Sequence, residues 1–160
     1  SNIASSKNSE KPSNIARSNR MRLRLIATPF SKGTLEHGFS AQDLKNSKNL
    51  SETLQKDEEG KLILSKTSSS DQIILLDENG KEFNSLGFSK FLQKQMNSGL
   101  KRLVLVIGGP YGFSEAVYKK ASSKLALSKM TFSHQMVRLF VVEQIYRGFT
   151  ILKNEPYHHR

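Results

Sequence analysis

The stretch that decides the fold is LVLVIGGPYG at residues 103–112. Its first five residues are all branched and apolar, which is typical of a strand that helices cover on both faces of a sheet. The stretch therefore predicts a parallel sheet in an α/β fold. The glycine pair that follows lets the backbone approach a flat ligand closely, although a plain tight turn is the favoured interpretation when the loop is taken alone. Its spacing matches neither a dinucleotide fingerprint nor a phosphate loop.

Helical and strand patterns alternate at short spacing along the rest of the chain, which again favours an α/β fold with a mainly parallel sheet. Asp77-Glu78-Asn79-Gly80 is typical of a turn that ends a strand. In parallel sheets, ligands bind in the loops after the carboxyl ends of the strands. We expect strands at residues 22–27, 73–76, 103–107 and 125–127, and helices at residues 51–64, 85–97, 114–123 and 134–149. The candidate ligand loops thus follow Leu76, Ile107 and Leu127.

Composition narrows the class of protein. The chain has 160 residues, no Cys and 36% hydrophobic residues, which fits one domain with a substantial core. The absence of Cys excludes disulfides, thiolate zinc sites and a Cys nucleophile, and it suggests a reducing compartment such as the cytoplasm. No apolar run reaches the roughly 18 to 20 residues that a membrane helix needs.

The chain is strongly basic, and its charged residues are unevenly distributed along the sequence. There are 25 Lys and Arg against 14 Asp and Glu, a formal net charge of +11. Residues 101–160 hold ten basic and three acidic side chains, whereas residues 21–100 are nearly balanced. This distribution suggests a basic surface for a polyanionic partner, and a merely solvated face is an equally good interpretation.

Residues 1–20 are rich in Ser and Asn and carry a net charge of +3. They cannot bury enough apolar surface to offset their ordering entropy, so we expect a disordered basic tail. The folded domain is then expected to span residues 21–160.

The helix predicted from His134 has apolar residues nearly all the way round. Its polar side chains fall in two narrow stripes, His134 with Arg138 and Glu143 with Arg147, each pair four residues apart. A second subunit that covers one side explains this pattern, and a central core helix with paired charges is the alternative. No acidic or imidazole group stands at metal-ligand spacing from His134, so we expect no metal site.

Four ordered motifs then point to a family: LVLVIGGPYGFSE from Leu103, LSKMTFSHQMVR from Leu127, VEQIYR from Val142 and NEPYHH from Asn154. Together they closely resemble the 23S ribosomal RNA pseudouridine methyltransferases of the RlmH type, in the SPOUT superfamily. The similarity runs from about Lys45 to the end of the chain. It implies an α/β fold with a C-terminal trefoil knot, a homodimer, and S-adenosyl-L-methionine as cofactor.

The resemblance also implies which residues form the site. The family's cofactor positions fall on Leu76, Gly108, Leu127, Ser128, Lys129, Met130, Thr131 and Phe132. Its substrate-side and catalytic positions fall on His134, Arg138, Glu143, Arg147, Tyr157 and His158. The implied reaction is methylation of ring nitrogen 3 of a pseudouridine in 23S (large-subunit) rRNA, on assembled ribosomes.

That nitrogen carries a proton at neutral pH, so a base or a cationic stabiliser is needed, worth on the order of 10²–10⁴-fold. Our hypothesis is that Arg147 and Arg138 hold rRNA phosphate or the imide anion, while Glu143 orients Arg147. His158 is the candidate proton acceptor, and Tyr157 stacks on or closes over the target base.

The chain departs from the family between its first strand and Lys45, where it is shorter by about one helix and one strand. This departure leaves open a non-catalytic ribosome-binding or assembly protein that retains the SPOUT fold. Methylation of another structured RNA is a third interpretation, but it does not account for the Tyr157-His158 tail.

Overall fold

The computed structural model of the chain describes residues 21–28 and 52–158. These residues form four strands and four helices. The expected tail at residues 1–20, the shortened segment before Lys45, the first residue of the helix expected at 51–64 and residues 159–160 lie outside the described residues. The elements are, in chain order, β1 (Arg22–Ala27), α1 (Glu52–Ser65), β2 (Gln72–Glu82), α2 (Ser85–Asn97), β3 (Arg102–Ile107), α3 (Glu115–Lys120), β4 (Ser123–Ala126) and α4 (His134–Leu152).

The four strands form one sheet in the order β1-β3-β2-β4, and every pairing is parallel. β3 pairs with β1 on one side and with β2 on the other, and residues 103–106 are fully buried. The predicted parallel α/β sheet with a central apolar strand is therefore confirmed.

Both faces of the sheet are covered by helices. On one face, Val104 and Val106 pack in a cluster that includes Ile63 of α1 and Val117 of α3. On the other face, Leu105 packs in a cluster with side chains of α2 and α4. This alternation is the physical reason for the unbroken apolar sequence of β3, because its side chains point by turns into the clusters on the two faces of the sheet.

The expectation that residues 77–80 end the second strand is wrong. β2 continues to Glu82, and its pairing with β4 shifts between Leu76 and Lys81, both of which lie opposite Leu125. Residues 77–80 leave the pairing between β2 and β4, which resumes at Lys81; we call these four residues the β2 excursion. Gly80 makes this return possible, since a Cβ there would lie 2.5 Å from the carbonyl carbon of Leu125.

Other boundaries differ by a few residues. α2 is the exception, since it begins and ends at the predicted residues. The Asn84 side chain caps its first turn by accepting the Gly87 N–H at 2.7 Å. α3 ends at Lys120 and β4 begins at Ser123, so the predicted helix was too long at its end. α4 continues to Leu152, about one turn beyond Phe149.

An ion pair joins the amino ends of two strands, at the edge of the sheet opposite the candidate ligand loops. Asp71, which precedes β2, accepts hydrogen bonds from both Nε and Nη2 of Arg102, the first residue of β3. The Asp71 side chain is buried, and the hydrogen bonds from Arg102 lower the pKa of its carboxyl to about 2.

Candidate active site

A cleft lies at the carboxyl ends of β2 and β4, where the sheet rule predicted a ligand site. It consists of two adjoining cavities of about 450 and 130 Å³. The smaller cavity brings together most of the residues predicted to bind a cofactor. Its lining residues are Leu76, Asp77, Glu78, Leu125, Leu127, Ser128, Met130, Thr131, Phe132 and Val137.

The segment 127–132 forms one wall of the smaller cavity and is held by local hydrogen bonds. The Met130 N–H donates to Ser128 Oγ at 3.0 Å, and Lys129 Nζ donates to the carbonyl oxygen of Glu78 at 3.1 Å. Lys129 therefore ties this wall to the β2 excursion, although its side chain does not line the cavity. The wall offers mainly apolar surface with a few polar atoms, which is typical of small-molecule sites.

Gly108 lies outside both cavities, next to the beginning of α4. A Cβ at Gly108 would lie 2.9 Å from the Phe113 ring, so the loop packs closely there. Its backbone forms a hydrogen bond with His134. Burial and the neighbouring Arg138 lower the pKa of His134, and the bond to Gly108 opposes them only in part.

Most of the larger cavity was missed by reasoning from the sequence, although Leu127, Ser128 and Phe132 of the predicted cofactor site also line it. It lies between the beginning of α2, the end of β4 and α4, and four of its lining residues are phenylalanines. Its polar lining includes Asn84, Ser85 and Gln144. The aromatic residues are Phe83, Phe88, Phe132 and Phe140. Phe132 was among the predicted cofactor residues. The other three resemble ordinary core residues in the sequence, because helical spacing alone does not distinguish a cavity wall from a packed core.

A second group of predicted residues meets near the end of α4. Oε1 of Glu143 accepts hydrogen bonds from Nε of Arg147 at 2.9 Å and from its Nη2 at 2.6 Å. Nη1 of Arg147 lies 3.4 Å from Nδ1 of His158. The Arg147 guanidinium also stacks over the Tyr157 ring, 4.8 Å from its centroid, and the Tyr157 hydroxyl lies 3.3 Å from Glu143 Oε1. The hydrogen bonds to Glu143 raise the pKa of Arg147.

Arg138 and His134 do not join this group. Nη2 of Arg138 donates to the carbonyl oxygen of Thr28 at 3.2 Å, at the carboxyl end of β1. Thr28 is buried and its N–H donates to Ile107 at 3.1 Å. The six predicted catalytic residues therefore fall into two groups, because residues 138 and 147 lie on opposite sides of α4. Tyr157 and His158, which follow the helix, join the group of Glu143 and Arg147.

Gln144 connects the larger cavity to the Glu143–Arg147 pair. Its Nε2 donates to Glu143 Oε2 at 2.7 Å, and its Oε1 accepts the Ser85 hydroxyl at 3.1 Å. Gln144 also lines the larger cavity. Sequence reasoning did not select it, although a neutral polar residue beside Glu143 on an apolar helix is a usable signal.

One side of α4 remains exposed. Met136, Leu139, Val142 and Tyr146 are between 41% and 60% exposed, and they follow one another at helical spacing. The described part of the chain therefore leaves this apolar face uncovered.

The described residues were also compared with the patterns of metal sites and membrane-spanning helices. Among residues 21–28 and 52–158, His, Asp and Glu side chains form no group of three or more that could hold a metal ion. Over the same residues, no helix is long and apolar enough to cross a membrane.

A parallel α/β sheet with a cleft at its carboxyl edge is one architecture of enzymes that bind small cofactors. The family described as "Predicted SPOUT methyltransferase" matches residues 14–158, so the chain belongs to the SPOUT methyltransferase family. It is similar to proteins named ribosomal RNA large subunit methyltransferase H. The protein of Flavobacterium johnsoniae is 73% identical over 118 residues, which cover 74% of this chain and 75% of the relative.

Two other relatives carry the same name. The protein of Christiangramia forsetii is 70% identical over 118 residues, 74% of this chain and 75% of the relative. That of Parabacteroides distasonis is 65% identical over 117 residues, 73% of this chain and 74% of the relative. These matches confirm the family resemblance inferred from the motifs.

Proposed function

We propose that this chain methylates ring nitrogen 3 of a pseudouridine in 23S (large-subunit) rRNA, on assembled ribosomes in the cytoplasm, with S-adenosyl-L-methionine as the methyl donor. Its family and the names of its relatives support methyl transfer to large-subunit rRNA. The structural observation that carries the proposal is Gln144, which lines the larger cavity and hydrogen-bonds to Glu143. A ligand site and a charged cluster thus share one side chain.

The cleft fits the chemistry of the proposed donor. Leu76, Leu127 and Phe132 provide apolar surface for an adenine ring, while Ser128 and Thr131 offer hydroxyls. Asp77 adds a carboxylate to the same wall. When bound, the donor supplies an electrophilic methyl group on a sulfonium. We propose that Gly108 and Lys129 complete the site from its edges.

Arg147 is proposed to hold the imide of the target base as its proton leaves. A guanidinium stabilises an anion through charge and directed N–H donors, and its pKa keeps it protonated. Glu143 fixes the guanidinium plane through two hydrogen bonds to one oxygen. The electrostatic stabilisation is therefore preorganised before substrate arrives.

His158 is proposed to accept the imide proton. Arg147 can only donate, so their 3.4 Å contact is a hydrogen bond in the tautomer that leaves Nδ1 of His158 as an acceptor. Once the substrate displaces Arg147 from that nitrogen, Nδ1 is free to take the proton. The Tyr157 ring, already stacked on the guanidinium, is proposed to close over the base.

Arg138 and His134 are proposed to act at the beginning of α4, away from Arg147. Arg138 is held by the Thr28 carbonyl, and its remaining donors suit an rRNA phosphate. The lowered pKa of His134 favours the neutral imidazole beside Gly108. Residues 101–160 carry most of the excess positive charge, which supports docking to a polyanion.

The functional unit is proposed to be a homodimer of domains spanning residues 21–160, each with a C-terminal trefoil knot. The exposed apolar face of α4 supports the dimer, because a surface of this kind is normally covered by another chain. The family supports the knot, and an experimental structure traced through residues 102–158 tests it.

Transfer of labelled methyl groups to ribosomes tests the function as a whole. We expect transfer to assembled ribosomes that lack the modification and little transfer to free rRNA. The product nucleoside should be a pseudouridine methylated on nitrogen 3, by mass spectrometry of digested rRNA. Ribosome binding without transfer would instead support the non-catalytic alternative.

A further inference from the structure

Asp77 is a carboxylate in the wall of the smaller cavity that none of the predicted roles uses. It follows Leu76 directly, at the start of the β2 excursion. Its Oδ1 accepts the Asn79 N–H at 2.8 Å, and its Oδ2 accepts the Tyr118 hydroxyl at 2.7 Å. These two bonds fix the orientation of the carboxylate, since each oxygen has a donor of its own.

The surroundings of Asp77 favour its charged form. Burial raises the pKa of Asp77, but the hydrogen bonds from Asn79 and Tyr118 outweigh it, so the pKa lies below its usual value. The same contact and burial raise the pKa of Tyr118 to about 12, which keeps its hydroxyl protonated as a donor. Asp77 therefore carries a full negative charge at neutral pH.

Few other charges face the cleft. Asp77 and Glu78 are the two ionisable side chains among the described residues that line the cavities, and Glu78 is exposed. Lys124 contributes to the low pKa of Asp77, but its Nζ lies over the Tyr118 ring. Lys129 Nζ donates to the Glu78 carbonyl oxygen. The partly buried negative charge in the wall is thus that of Asp77.

We propose that Asp77 makes the cleft discriminate between the methyl donor and its product by charge. The inference rests on the proposed function, with S-adenosyl-L-methionine as donor. In the transfer, the S–CH₃ bond breaks and its electron pair stays on sulfur. The new bond joins the methyl carbon to nitrogen 3, and the imide proton passes to the proposed proton acceptor, His158. The bound ligand thereby loses one positive charge.

The consequence is a difference in affinity. A fixed carboxylate attracts the sulfonium more than the neutral thioether, and partial burial weakens solvent screening. Asp77 therefore favours binding of the donor and release of S-adenosylhomocysteine. It is a specificity-determining residue, and the discrimination does not require the methyl-transfer step itself.

Isothermal titration of the full chain tests this inference with three ligands. They are S-adenosyl-L-methionine, S-adenosylhomocysteine and sinefungin, an analogue that has an ammonium group in place of the sulfonium. For Asp77→Asn we expect the two cationic ligands to lose about three- to tenfold more affinity than the thioether. The wild-type chain is titrated in parallel, and thermal unfolding verifies that each variant is folded.

Two matched variants separate charge from structure. Tyr118→Phe keeps the carboxylate and removes one of its hydrogen bonds, so the ratio of affinities should stay within about twofold of wild type. Glu78→Gln removes the neighbouring exposed carboxylate, whose charge is screened by solvent, and should also leave the ratio within about twofold.

The outcomes are distinct. If the wild-type chain binds the ligands and Asp77→Asn shows the same ratio of affinities, the inference is overturned and the proposed function stands. An equal shift in Tyr118→Phe overturns it as well, because that variant keeps the charge. If wild type binds none of the three at millimolar concentration, the proposed cofactor fails, and the inference with it.

Discussion

Glu143 and Arg147 form an ion pair in which a single carboxylate oxygen accepts two hydrogen bonds from the guanidinium, at 2.9 and 2.6 Å. The two residues lie one turn apart on α4. Because Nε and Nη2 are both used, only Nη1 is turned toward His158. The ion pair therefore sets the direction in which the guanidinium presents its remaining donors.

Replacing Arg147 by Lys tests this geometry while keeping the charge. A lysine cannot use two nitrogens on one oxygen and stack on Tyr157 at the same time. We expect single-turnover methylation of ribosomes to fall by about 10²-fold, with the melting temperature nearly unchanged. Glu115→Gln, which breaks the exposed Lys119–Glu115 pair at 2.7 Å, is the matched control and should retain full rate. A normal rate in Arg147→Lys would contradict the proposed role.

We expect Tyr157 to act on methyl transfer through its ring more than through its hydroxyl. The ring stacks on Arg147 and meets the Tyr146 ring edge-on at 5.0 Å, whereas the hydroxyl contact to Glu143 is long at 3.3 Å. We therefore expect Tyr157→Phe to keep the methylation rate within about threefold of wild type. Tyr157→Ala should lose at least about tenfold, because base and guanidinium both lose their aromatic partner. Equal rates for the two variants would show that the ring is dispensable.

The exposed face of α4 predicts a dimer in solution. Leu139 is 60% exposed and Val142 is 53% exposed, in the middle of that face. Sedimentation equilibrium should give about twice the mass of one chain for wild type. The double variant Leu139→Glu with Val142→Glu should sediment as one chain, because two carboxylates cannot be buried unpaired. Leu54→Glu, at another exposed leucine on α1, should leave the dimer intact. A monomeric wild-type chain would refute the dimer.

Asp71 predicts a pH dependence of stability. Hydrogen bonds from Arg102 lower the pKa of Asp71 from 3.8 to about 2 in the folded chain. The contribution to the free energy of unfolding, about 1–2 kcal/mol after solvent screening, is complete above pH 3.8 and is lost as the pH falls through 2. Asp71→Asn should therefore be less stable by about that amount at pH 7.

The difference between wild type and Asp71→Asn should shrink between pH 4 and 2, as measured by urea unfolding at each pH. Affinity for S-adenosyl-L-methionine should stay unchanged in this variant, since Asp71 lies at the opposite edge of the sheet from the cleft. A constant difference across this pH range would contradict the assignment.

Gly80 predicts a local limit on side-chain size. A Cβ there would lie 2.5 Å from the carbonyl carbon of Leu125, so the backbone of β2 or β4 must shift to accept alanine. We expect Gly80→Ala to lower the free energy of unfolding by about 1–3 kcal/mol and to weaken donor binding, because Leu125 lines the cleft. Asn79→Ala keeps the backbone N–H that Asp77 accepts and should change stability by less than about 0.5 kcal/mol. If Gly80→Ala were as stable as wild type, β2 and β4 would have to move apart at little cost in free energy.

The sheet was predictable because its pattern is local. Residues 103–107 contain only apolar branched side chains, and this alone indicates a strand covered on both faces. The excursion at residues 77–80 was not predictable as such. Its composition is that of an ordinary turn, and only the return of Lys81 to the partner strand shows that β2 continues. That return depends on a contact between segments about 45 residues apart, which no local pattern encodes.

The candidate site was predictable in part for a similar reason. The loops after Leu76 and Leu127 follow strands, so the topology of a parallel sheet brings them together. Gln144 and three of the four phenylalanines of the larger cavity became visible only in the structure, since a cavity is a property of packing. The separation of Arg138 from Arg147 does follow from helix geometry, as nine residues turn the side chain to the opposite side.

Gln144 gives the molecule a route for communication between its ligands. Its amide nitrogen is committed to Glu143 and its amide oxygen to Ser85, within the lining of the larger cavity. A ligand that changes either bond also changes the support of the Arg147 guanidinium. Thermodynamic reciprocity then requires that rRNA binding alter the affinity for that ligand by the same factor. A ligand of the larger cavity and nucleic acid held by Arg147 would then each change the affinity of the chain for the other.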